Sequence, residues 1–451
     1  MLALMSRFTF LLALSIVCTA SYAEPRRPNI VMILSDDQAW GDYSFMSHEA
    51  IQTPALDQLA RESLTFTRGY VPNSLCRPSL STIISGLYPH QHGIVGNDPP
   101  WAGMQEGRKR PNHTQPQYVK NREAYLSHID NMKTLPDFLA PLGYRSLQTG
   151  KWWEGNYKRG GFSEGMTQGD FHKDGRHGDA GLKIGRTDMQ PIESFLDSCS
   201  ENKDPFFVWY APFLPHTPHN PPKRILDQYR SKTDSLPMAK YWAMCQWFDE
   251  TCGQLLTSLD ERGLAENTIV IYVTDNGWIN EIDSSRYAPR SKRSPNEGGT
   301  RTPIMIKWPG HVAPRLDNET LASSIDLVPT VLAAVGIQTD NALPGINLLD
   351  PAARESRDAI FGEIFEHDIQ SMDDPVASLR YRWMIQGELK LILPSVRMTG
   401  EKAQLYNLKQ DPHENNDLAA THPKIVASMS EAINAWWPAK SHDGSPSPTA
   451  E

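Results

Sequence analysis

Short apolar runs and stretches of helical periodicity alternate along most of this chain. Six runs have the length and composition of buried strands: 29–34, 64–70, 145–149, 205–210, 268–274 and 302–307. The stretches between and after them predict helices over 54–62, 135–142, 188–200, 241–262 and 325–335. Because strands that alternate with helices usually pair in parallel, the pattern predicts an α/β fold with a doubly wound, mostly parallel sheet.

The pattern changes after about residue 345, where the strand-like runs become shorter. These runs predict a small antiparallel sheet in a C-terminal α+β domain, over 359–364, 381–386 and 390–393. We therefore predict a main domain over 24–345 and a C-terminal subdomain over 346–440. The last stretch, 441–451, is rich in Ser and Pro and is predicted to be disordered.

The first 23 residues have the features of a secretory signal peptide. Arg7 precedes an apolar run over 8–18, and Ser21-Tyr22-Ala23 places small residues at the two positions that a signal peptidase reads. Cleavage is predicted after Ala23. The apolar run is too short for a stable membrane span. The mature protein is therefore expected to be exported, either to a periplasm or out of the cell.

Net charge and cysteine content narrow the class of protein. The chain has a net charge of -9 and no long basic run, which argues against nonspecific nucleic-acid binding. Four of its five cysteines remain after the predicted cleavage removes Cys18, and export permits disulfides. Cys245 and Cys252 lie in one predicted helix about 10 Å apart by the helical rise, too far for a bond between them. The chain is therefore not a disulfide scaffold.

Polar side chains directly follow four of the predicted strands: Asp36 and Asp37, Lys151, His216 and His219, and Asp275 and Asn276. In open α/β sheets ligands bind at the carboxyl ends of the strands, so these side chains are expected to meet. The aspartates and Asn276 offer only oxygen ligands, which Ca²⁺ prefers. Taken singly, an Asp pair is usually solvated and Asp-Asn-Gly is usually a turn. Their recurrence at strand ends favours a metal site.

The turn around Cys76 is a second candidate. Pro78 suits a helix start and Gly86 a helix stop. The free N–H groups and the dipole of such a helix start favour an anion such as sulfate or phosphate. Cys76 then lies where it can attack the central atom of that anion. The alternative is a structural thiol in a buried helix.

Positive side chains are available to surround an anion. Lys151, Lys292 and His216 are candidates, although a lone lysine in a loop is more often a solvated surface charge. The glycine-rich stretch 155–186 adds several basic residues, among them Arg176 and His177. This stretch either binds an anionic sugar beside the site or is a long solvated surface loop.

Seven motifs occur in order along the mature chain: Pro28-Asn29-Ile30 through Asp36-Asp37, Cys76-Arg77-Pro78-Ser79 with Gly86-Leu87-Tyr88-Pro89 and His92-Gly93, Gly150-Lys151-Trp152, Pro215-His216-Thr217-Pro218-His219, Thr274-Asp275-Asn276-Gly277, Glu297-Gly298-Gly299 with Arg301 and Pro303, and Leu405-Tyr406-Asn407-Leu408 with Asp411-Pro412. With them the chain resembles the sulfatase family, of the formylglycine-dependent type. The resemblance implies an alkaline-phosphatase-like fold.

The resemblance also implies a role for each matching residue. Cys76 is expected to be oxidised after translation to formylglycine, whose hydrate attacks sulfur. Lys151 and Lys292 are expected to hold the sulfate oxygens, and His216, assisted by Lys292, to protonate the leaving alcohol. The implied Ca²⁺ ligands are the modified Cys76 with Asp36, Asp37, Asp275 and Asn276.

Two positions depart from the family pattern. The family's modification motif ends in Arg, which helps the modifying enzyme recognise the site, whereas this chain has Leu80. Arg77 projects about 100° away around the helix and is not an obvious substitute. The family has His two residues after Lys151, where it helps to expel sulfate, whereas this chain has Trp153, and an indole offers no base. The candidate replacements are His92, His172 and His177.

These departures indicate either a divergent subfamily or an impaired enzyme, and the retained lysines and His216 favour the first. The sequence thus predicts an exported sulfatase acting on a sulfated carbohydrate, with Ca²⁺ and formylglycine as cofactors and a formylglycine-generating maturation enzyme as a partner. Substrate binding is assigned to Lys151, His216, Lys292, His177 and Arg176. The alternatives are a phosphodiesterase or phosphonate monoester hydrolase of the same fold, and a catalytically silent protein that binds anionic glycans.

Overall fold

The computed structural model describes residues 27–104, 112–170, 173–338 and 343–440. Nine strands form its central sheet: β1 (Asn29–Ser35), β2 (Leu64–Tyr70), β3 (Arg145–Gly150), β4 (Glu164–Gly165), β5 (Phe206–Ala211), β6 (Thr268–Thr274), β7 (Arg301–Lys307), β8 (Arg315–Asp317) and β9 (Ala322–Ser323). Eight of them lie in the order β4-β3-β5-β1-β6-β7-β2-β8. The ninth, β9, pairs with the end of β2, after the part of β2 that pairs with β8.

Most neighbouring strands of this sheet are parallel. β1 runs parallel to β5 and β6, β3 to β4 and β5, and β2 to β8 and β9. β7 runs antiparallel to both of its neighbours, β6 and β2. The predicted doubly wound, mostly parallel sheet is confirmed. The direction of β7 was not predicted, because an uninterrupted apolar run carries no information on strand direction.

Helices cover both faces of the sheet, as strands that are apolar on both sides require. Ile30 and Met32 of β1 pack into one apolar layer, and Val31 and Ile33 pack into the other. The helices are α1 (Pro54–Arg61), α2 (Cys76–Ser85), α3 (Pro89–His92), α4 (Pro116–Asp130), α5 (Leu135–Leu139), α6 (Gln190–Asn202), α7 (Lys223–Arg230), α8 (Leu236–Glu261), α9 (Glu297–Thr300), α10 (Leu327–Ala334), α11 (Pro351–Glu355) and α12 (Pro423–Trp436). The apolar layer that contains Ile30 includes residues of α2, α4, α5 and α10. The layer on the other face, which contains Val31, includes residues of α1, α6 and α8.

The predicted C-terminal antiparallel sheet is also confirmed. Its strands are β10 (Ala359–Phe365), β11 (Leu379–Gln386), β12 (Leu389–Pro394) and β13 (Gln404–Asn407), in that order. One face packs against Met429 and Ile433 of α12, and the other packs against Tyr70 of β2. Because this sheet packs directly on the central sheet, its loops can reach the same edge as the strand ends. The exact boundary near residue 345 stays a prediction.

Some elements were not predicted, and the long loop differs from its prediction. The helices α4, α7 and α12 are missing from the sequence analysis; α4 is polar along most of its length and buries only a few side chains such as Tyr125 and Ile129. The stretch 155–186 is not a simple solvated loop. Its Asp179 carboxylate accepts the backbone N–H groups of Gln168, Gly169, Asp170 and Ala180, which folds the stretch against the end of β3.

Three further predictions concern the termini, the membrane and the thiols. The predicted signal peptide and disordered tail fall on 1–26 and 441–451, outside the described residues. In the described ranges, no helix combines the length and apolar character that crossing a membrane requires. The cysteines there are free thiols, namely Cys76, Cys199, Cys245 and Cys252, which agrees with the prediction that the chain is not a disulfide scaffold.

Candidate active site

The carboxyl ends of three central strands bring the predicted metal ligands together. Asp36 and Asp37 follow β1, and Asp275 follows β6, which pairs with β1 along its whole length. Backbone hydrogen bonds join the turns, from Asp275 N to Ser35 O at 2.9 Å and from Asp36 N to Leu214 O at 3.0 Å. Leu214 lies just beyond β5, so the register of the sheet fixes the positions of these side chains.

Three oxygen atoms of this group are buried and accept no hydrogen bond from the described residues: Asp36 Oδ2, Asp37 Oδ2 and Asn276 Oδ1. The Asn276 nitrogen donates to Asp37 Oδ1 at 2.7 Å and to Gly277 O at 3.1 Å, which fixes the orientation of the amide. Buried acceptors without a donor are costly unless a cation or another donor satisfies them. Since the group offers only oxygens, it fits the Ca²⁺ that the resemblance implies.

Two lysines lie among these carboxylates. Lys151, directly after β3, places Nζ 2.6 Å from Asp36 Oδ1 and 3.2 Å from Asp275 Oδ2. Lys292 places Nζ 2.5 Å from Asp37 Oδ1 and 3.0 Å from Cys76 Sγ. Three carboxylates and two ammonium groups leave one net negative charge when all are ionised. This net negative charge favours the binding of a divalent cation beside them.

Burial and charge pull the pKa values of these groups in different directions. Burial raises the pKa of Asp36 above its usual value and that of Asp275 to about 7, which Lys151 only partly offsets. Burial also opposes ionisation of Asp37, but the charges of Lys292 and Lys151, with the hydrogen bond from Lys292, hold that pKa at about 2. The pKa of Lys151 lies well above its usual value, since the neighbouring carboxylates overcome its desolvation. These groups therefore depend on one another for their charges.

Cys76 is the first residue of α2, and its side chain is only 1% exposed. Burial raises the pKa of its thiol to about 11, although Lys151 and Lys292 favour the thiolate. An unmodified Cys76 is therefore protonated at neutral pH and is a poor nucleophile. Attack from this position needs a different functional group, and the formylglycine hydrate that the resemblance implies would supply a hydroxyl.

His216 lies in the turn after β5 and faces the same site. Its Nδ1 is 2.6 Å from Thr217 O, and because a carbonyl oxygen only accepts, Nδ1 carries a proton. Its Nε2 is then the atom that faces Asp37, with Oδ2 at 3.4 Å. Burial lowers the pKa of His216 to about 3, so the imidazole is neutral in the absence of a ligand. His219, in contrast, packs against the rings of Tyr241 and Trp278.

A cleft of about 910 Å³ opens above Cys76. We call the strand-end residues below it the inner wall: Asp36, Asp37, Lys151, Asp275 and Asn276. Six of the loop residues that line the rest of the cleft are called the outer wall: Asn97, Asp98, Arg176, His177, His367 and Asp368. His216 and Lys292 also line the cleft, between the two walls. The structure thus brings all of the predicted catalytic and substrate-binding residues to one place.

Arg176 and Asp98 form the centre of the outer wall. Arg176 Nε donates to Asp98 Oδ1 at 2.9 Å, and its Nη2 pairs with Oδ2, while Tyr118 donates to Oδ1 at 2.5 Å. Burial opposes ionisation of Asp98, but these donors hold its pKa well below the usual range. Arg176 also lies over the ring of Trp153 at 4.6 Å and places Nη1 2.5 Å from His177 Nε2.

The C-terminal subdomain completes the outer wall. His367 Nε2 lies 3.2 Å from Asn97 Nδ2, and Asn97 Oδ1 accepts the backbone N–H of Arg77 at 3.1 Å. Asp368 accepts from the indole of Trp101 at 2.8 Å. These residues were not predicted from the sequence, since they come from loops about 270 positions apart. The available signal was that His367 and Asp368 follow a predicted strand.

The first departure from the family pattern is explained by packing. Leu80 is 4% exposed and lies in the same apolar layer as Ile83 and Ile84 of α2. Arg77 is fully buried and donates to both carboxylate oxygens of Glu154, at 2.7 and 2.6 Å. Its guanidinium is therefore held in an ion pair, which agrees with the expectation that it does not replace the missing arginine.

The second departure places a tryptophan beside a histidine. Trp153 is 3% exposed, and its ring is perpendicular to that of His177 at a centroid distance of 4.5 Å. Of the other candidate replacements, His92 is buried and its ring contacts Thr82 Oγ1 and Ile94 N, both at 3.1 Å. His172 lies outside the described residues. His177 is thus the candidate that the structure places in the cleft.

The α/β fold places the cleft at the carboxyl ends of the central strands, where proteins of this architecture bind their ligands. A family model described as Sulfatase matches residues 28–337, and the chain belongs to the sulfatase family. A second model, described as the C-terminal region of N-sulphoglucosamine sulphohydrolase, matches residues 289–436. The predicted family and the predicted enzyme class, a sulfuric ester hydrolase, are confirmed.

Two characterised relatives span most of the chain. N-acetylgalactosamine-6-sulfatase of Mus musculus is 27% identical over 380 residues, which cover 75% of this chain and 69% of that protein. Arylsulfatase A of Homo sapiens is 28% identical over 483 aligned positions, which cover 93% of this chain and 89% of that protein. Both relatives are named as sulfatases, in agreement with the family match.

Solved structures show the same fold. The structure of Ps i-CgsB has a TM-score of 0.70 at 22% identity and covers 92% of this chain and 94% of its own. The phosphonate monoester hydrolase of Agrobacterium radiobacter has a TM-score of 0.65 at 18% identity and covers 91% of this chain and 95% of its own. At these identities the likeness concerns the fold alone.

Proposed function

We propose that the protein is an exported sulfatase that hydrolyses sulfate esters of a carbohydrate, with Ca²⁺ and a formylglycine formed from Cys76. One observation carries the proposal: Lys292 Nζ lies 3.0 Å from Cys76 Sγ, beside three buried oxygens that accept no hydrogen bond from the described residues. A nucleophile position, a cation cradle and a second positive charge therefore meet at one point. This combination suits attack on a sulfate ester, which carries one negative charge.

The chain's own residues supply binding and proton transfer. Hydrated formylglycine would supply the attacking hydroxyl, and Ca²⁺, held by Asp36, Asp37, Asp275 and Asn276, would supply positive charge beside the sulfate oxygens. Lys292 and Lys151 are assigned the binding of those oxygens, since Lys292 contacts Cys76 Sγ and the charges of both lysines act on the Cys76 thiol. They neutralise the charge that the sulfate carries through the reaction.

His216 is assigned the protonation of the leaving alcohol at Nε2. Before an ester binds, its imidazole is neutral, because burial lowers its pKa to about 3. An anionic ester bound beside Nε2 raises that pKa, since nearby negative charge favours the imidazolium form. Protonated at both nitrogens, His216 donates from Nδ1 to Thr217 O and gives its Nε2 proton to the departing oxygen.

The outer wall supports a carbohydrate as the group that carries the sulfate. Its charged atoms, centred on the Arg176–Asp98 pair, offer donors and acceptors together, which suits sugar hydroxyls. Arg176 and His177 are proposed to bind that sugar. The name of the relative N-acetylgalactosamine-6-sulfatase points in the same direction.

A maturation enzyme is the proposed partner, since formylglycine has to be formed from Cys76 after synthesis. Leu80 replaces the arginine that such an enzyme reads in the family, and it is buried in the folded protein. Modification therefore has to precede folding, when the Cys76 turn is accessible. Export through an N-terminal signal peptide is proposed on the sequence pattern of residues 1–23.

The proposal is tested by turnover of three substrates at equal concentration: an aryl sulfate, an aryl phosphonate monoester and a sulfated disaccharide. The protein is loaded with Ca²⁺ after coexpression with a maturation enzyme. We expect hydrolysis of the aryl sulfate and the sulfated disaccharide. Faster turnover of the phosphonate would favour the alternative suggested by the shared fold of the phosphonate monoester hydrolase.

A second alternative is a silent glycan-binding protein, which Leu80 and Trp153 favour because they replace two residues of the family's pattern. It predicts binding of the sulfated disaccharide, measured by calorimetry, without turnover of any of the three substrates. The same preparation serves both measurements. Binding without turnover would therefore replace the sulfatase proposal.

A further inference from the structure

The motif Asp411-Pro412 has no part in the chemistry described above, yet it leads into a buried carboxylate. Glu414 follows β13, is 2% exposed and donates its backbone N–H to Asp411 O at 3.1 Å. Its φ of 56° lies in the left-handed region, which non-glycine residues rarely adopt. Surrounding contacts have to hold such a residue in place.

Those contacts join Glu414 to both ends of the segment that carries Lys292. We call residues 290–297 the lysine loop. At its end, Glu297 donates its backbone N–H to Glu414 Oε2 at 2.9 Å. At its start, the guanidinium of Arg290 donates to the backbone carbonyl of Glu414. Lys390 of β12 places Nζ 3.2 Å from Glu414 Oε1 and 2.9 Å from Glu297 Oε1.

The middle of the lysine loop is fastened to the turn that precedes Cys76. Arg293 donates its backbone N–H to Ser74 O at 2.9 Å, and Ser74 Oγ donates to Ser294 O at 2.7 Å. Arg290 and Arg293, on either side of Lys292, have φ values of 62° and 67°. This strained backbone aims Lys292 at Cys76, and Glu414 is bound where the strained segment begins and ends.

We infer that Glu414 is a positioning residue for Lys292: it fastens both ends of the lysine loop to the C-terminal subdomain and so fixes the distance between Lys292 Nζ and Cys76. The inference rests on the proposed function, which gives Lys292 its contact with the sulfate. It assigns a purpose to the Asp411-Pro412 motif and to the buried Lys390–Glu297 pair.

The first test is the turnover of an aryl sulfate by Glu414→Ala and Glu414→Gln. We expect kcat to fall about 10- to 100-fold in Glu414→Ala, because small misplacements of a catalytic group are costly. Glu414→Gln keeps an acceptor for the Glu297 N–H and should lose less. The matched control is Glu388→Ala, which removes an exposed glutamate of the same subdomain paired with Lys409 at 2.7 Å. Wild-type kcat in Glu414→Ala would overturn the inference.

The second test separates positioning from general destabilisation. In a Lys292→Ala background, Glu414→Ala should change kcat less than about twofold, because the group that it positions is already absent. If Glu414 only stabilises the fold, its loss lowers the activity of both backgrounds by the same factor. Equal factors would therefore contradict the inference.

The third test needs no turnover, so it stands even if the proposed function fails. Acetic anhydride labels lysines, and mass spectrometry gives the labelling rate of each one. We expect Glu414→Ala to raise the rate at Lys292 severalfold and to leave that at Lys151, which follows β3, unchanged. Equal increases at both lysines, or no increase at Lys292, would contradict the positioning role.

Discussion

The two walls of the cleft are built by different parts of the fold and hold their charges differently. The inner wall lies at the ends of neighbouring strands, and backbone hydrogen bonds such as Asp275 N to Ser35 O fix its register. The outer wall comes from loops, and side-chain pairs such as Arg176–Asp98 hold it together. The inner wall is therefore suited to chemistry that every substrate needs, and the outer wall to recognition of one substrate.

The two walls can be told apart by measuring turnover of two substrates, a small aryl sulfate and a sulfated carbohydrate. Changes to the inner wall and its nucleophile should lower turnover of a small aryl sulfate and of a sulfated carbohydrate alike. Changes to the outer wall should affect mainly the carbohydrate, since a small aryl group does not need the sugar-binding contacts. The four predictions below follow this distinction, and each uses both substrates.

Cys76→Ala should have the largest effect. It removes the proposed nucleophile, so kcat for both substrates should fall about 10³-fold or more, because the loss of a nucleophile removes the covalent route. Circular dichroism should show an intact fold. Cys199→Ala is the control, since Cys199 is also a buried free thiol but lies in the opposite apolar layer. Retained activity in Cys76→Ala would refute its assignment as nucleophile.

Asp275→Ala should rank second, because it removes a proposed oxygen ligand and a partner of Lys151. Turnover of both substrates should fall at least about 100-fold, and metal analysis should show loss of Ca²⁺. Chelation should lower the Tm of the wild type, since a ligand present at 100 times its Kd stabilises by about 2.7 kcal/mol. The variant should not respond to chelation. An unchanged Ca²⁺ content would show that the ligand set is wrong.

His177→Ala tests an outer-wall residue that is also the candidate replacement for the missing histidine, so here a change in the outer wall is expected to affect both substrates. If His177 takes the place that Trp153 leaves empty, kcat for both substrates should fall about 10- to 100-fold, as for loss of a general acid or base. A purely sugar-binding role predicts a loss for the carbohydrate alone. His422→Ala, at an exposed position after the C-terminal sheet, is the control. Equal wild-type rates on both substrates would remove His177 from the site.

Asp98→Asn should have the smallest effect and the most selective one. It weakens the pair that holds Arg176, so KM for the carbohydrate should rise about tenfold, the order of one charge-assisted hydrogen bond. KM for the aryl sulfate should stay within about twofold. The matched control is Asp130→Asn, which weakens the exposed pair with Arg159 at 2.8 Å. An equal rise for both substrates would contradict the division between the two walls.

The same division explains what the sequence could predict. Asp36, Asp37 and Asp275 follow apolar runs that are unmistakable strands, and parallel strand ends must meet, so their proximity could be predicted without a structure. Lys292 has no such signal: it was a candidate to surround an anion, and only the family motifs gave it a specific role. Asp98 and His367 were missed, because nothing in local periodicity tells which of two distant loops will touch.

The helices show the same limit. α8 is long and carries a regular apolar face, so its existence was predictable, although it begins at Leu236 rather than at 241. α4 buries residues such as Tyr125 and Ile129 within a mostly polar sequence, and its pattern is too weak to predict a helix. Glu414 was singled out by no pattern, and its contacts with the lysine loop became visible only with the C-terminal sheet in place.

The central claim is that Cys76 becomes formylglycine, and the most direct measurement is the mass of the tryptic peptide 69–108 from protein made in a host with a maturation enzyme. The Arg77-Pro78 bond resists trypsin, so Cys76 stays inside this peptide. We predict a mass that is lower by the difference between a thiol and an aldehyde side chain, with no alkylation at that position. An unmodified, alkylatable Cys76 would contradict the account, because the cleft would then lack its nucleophile.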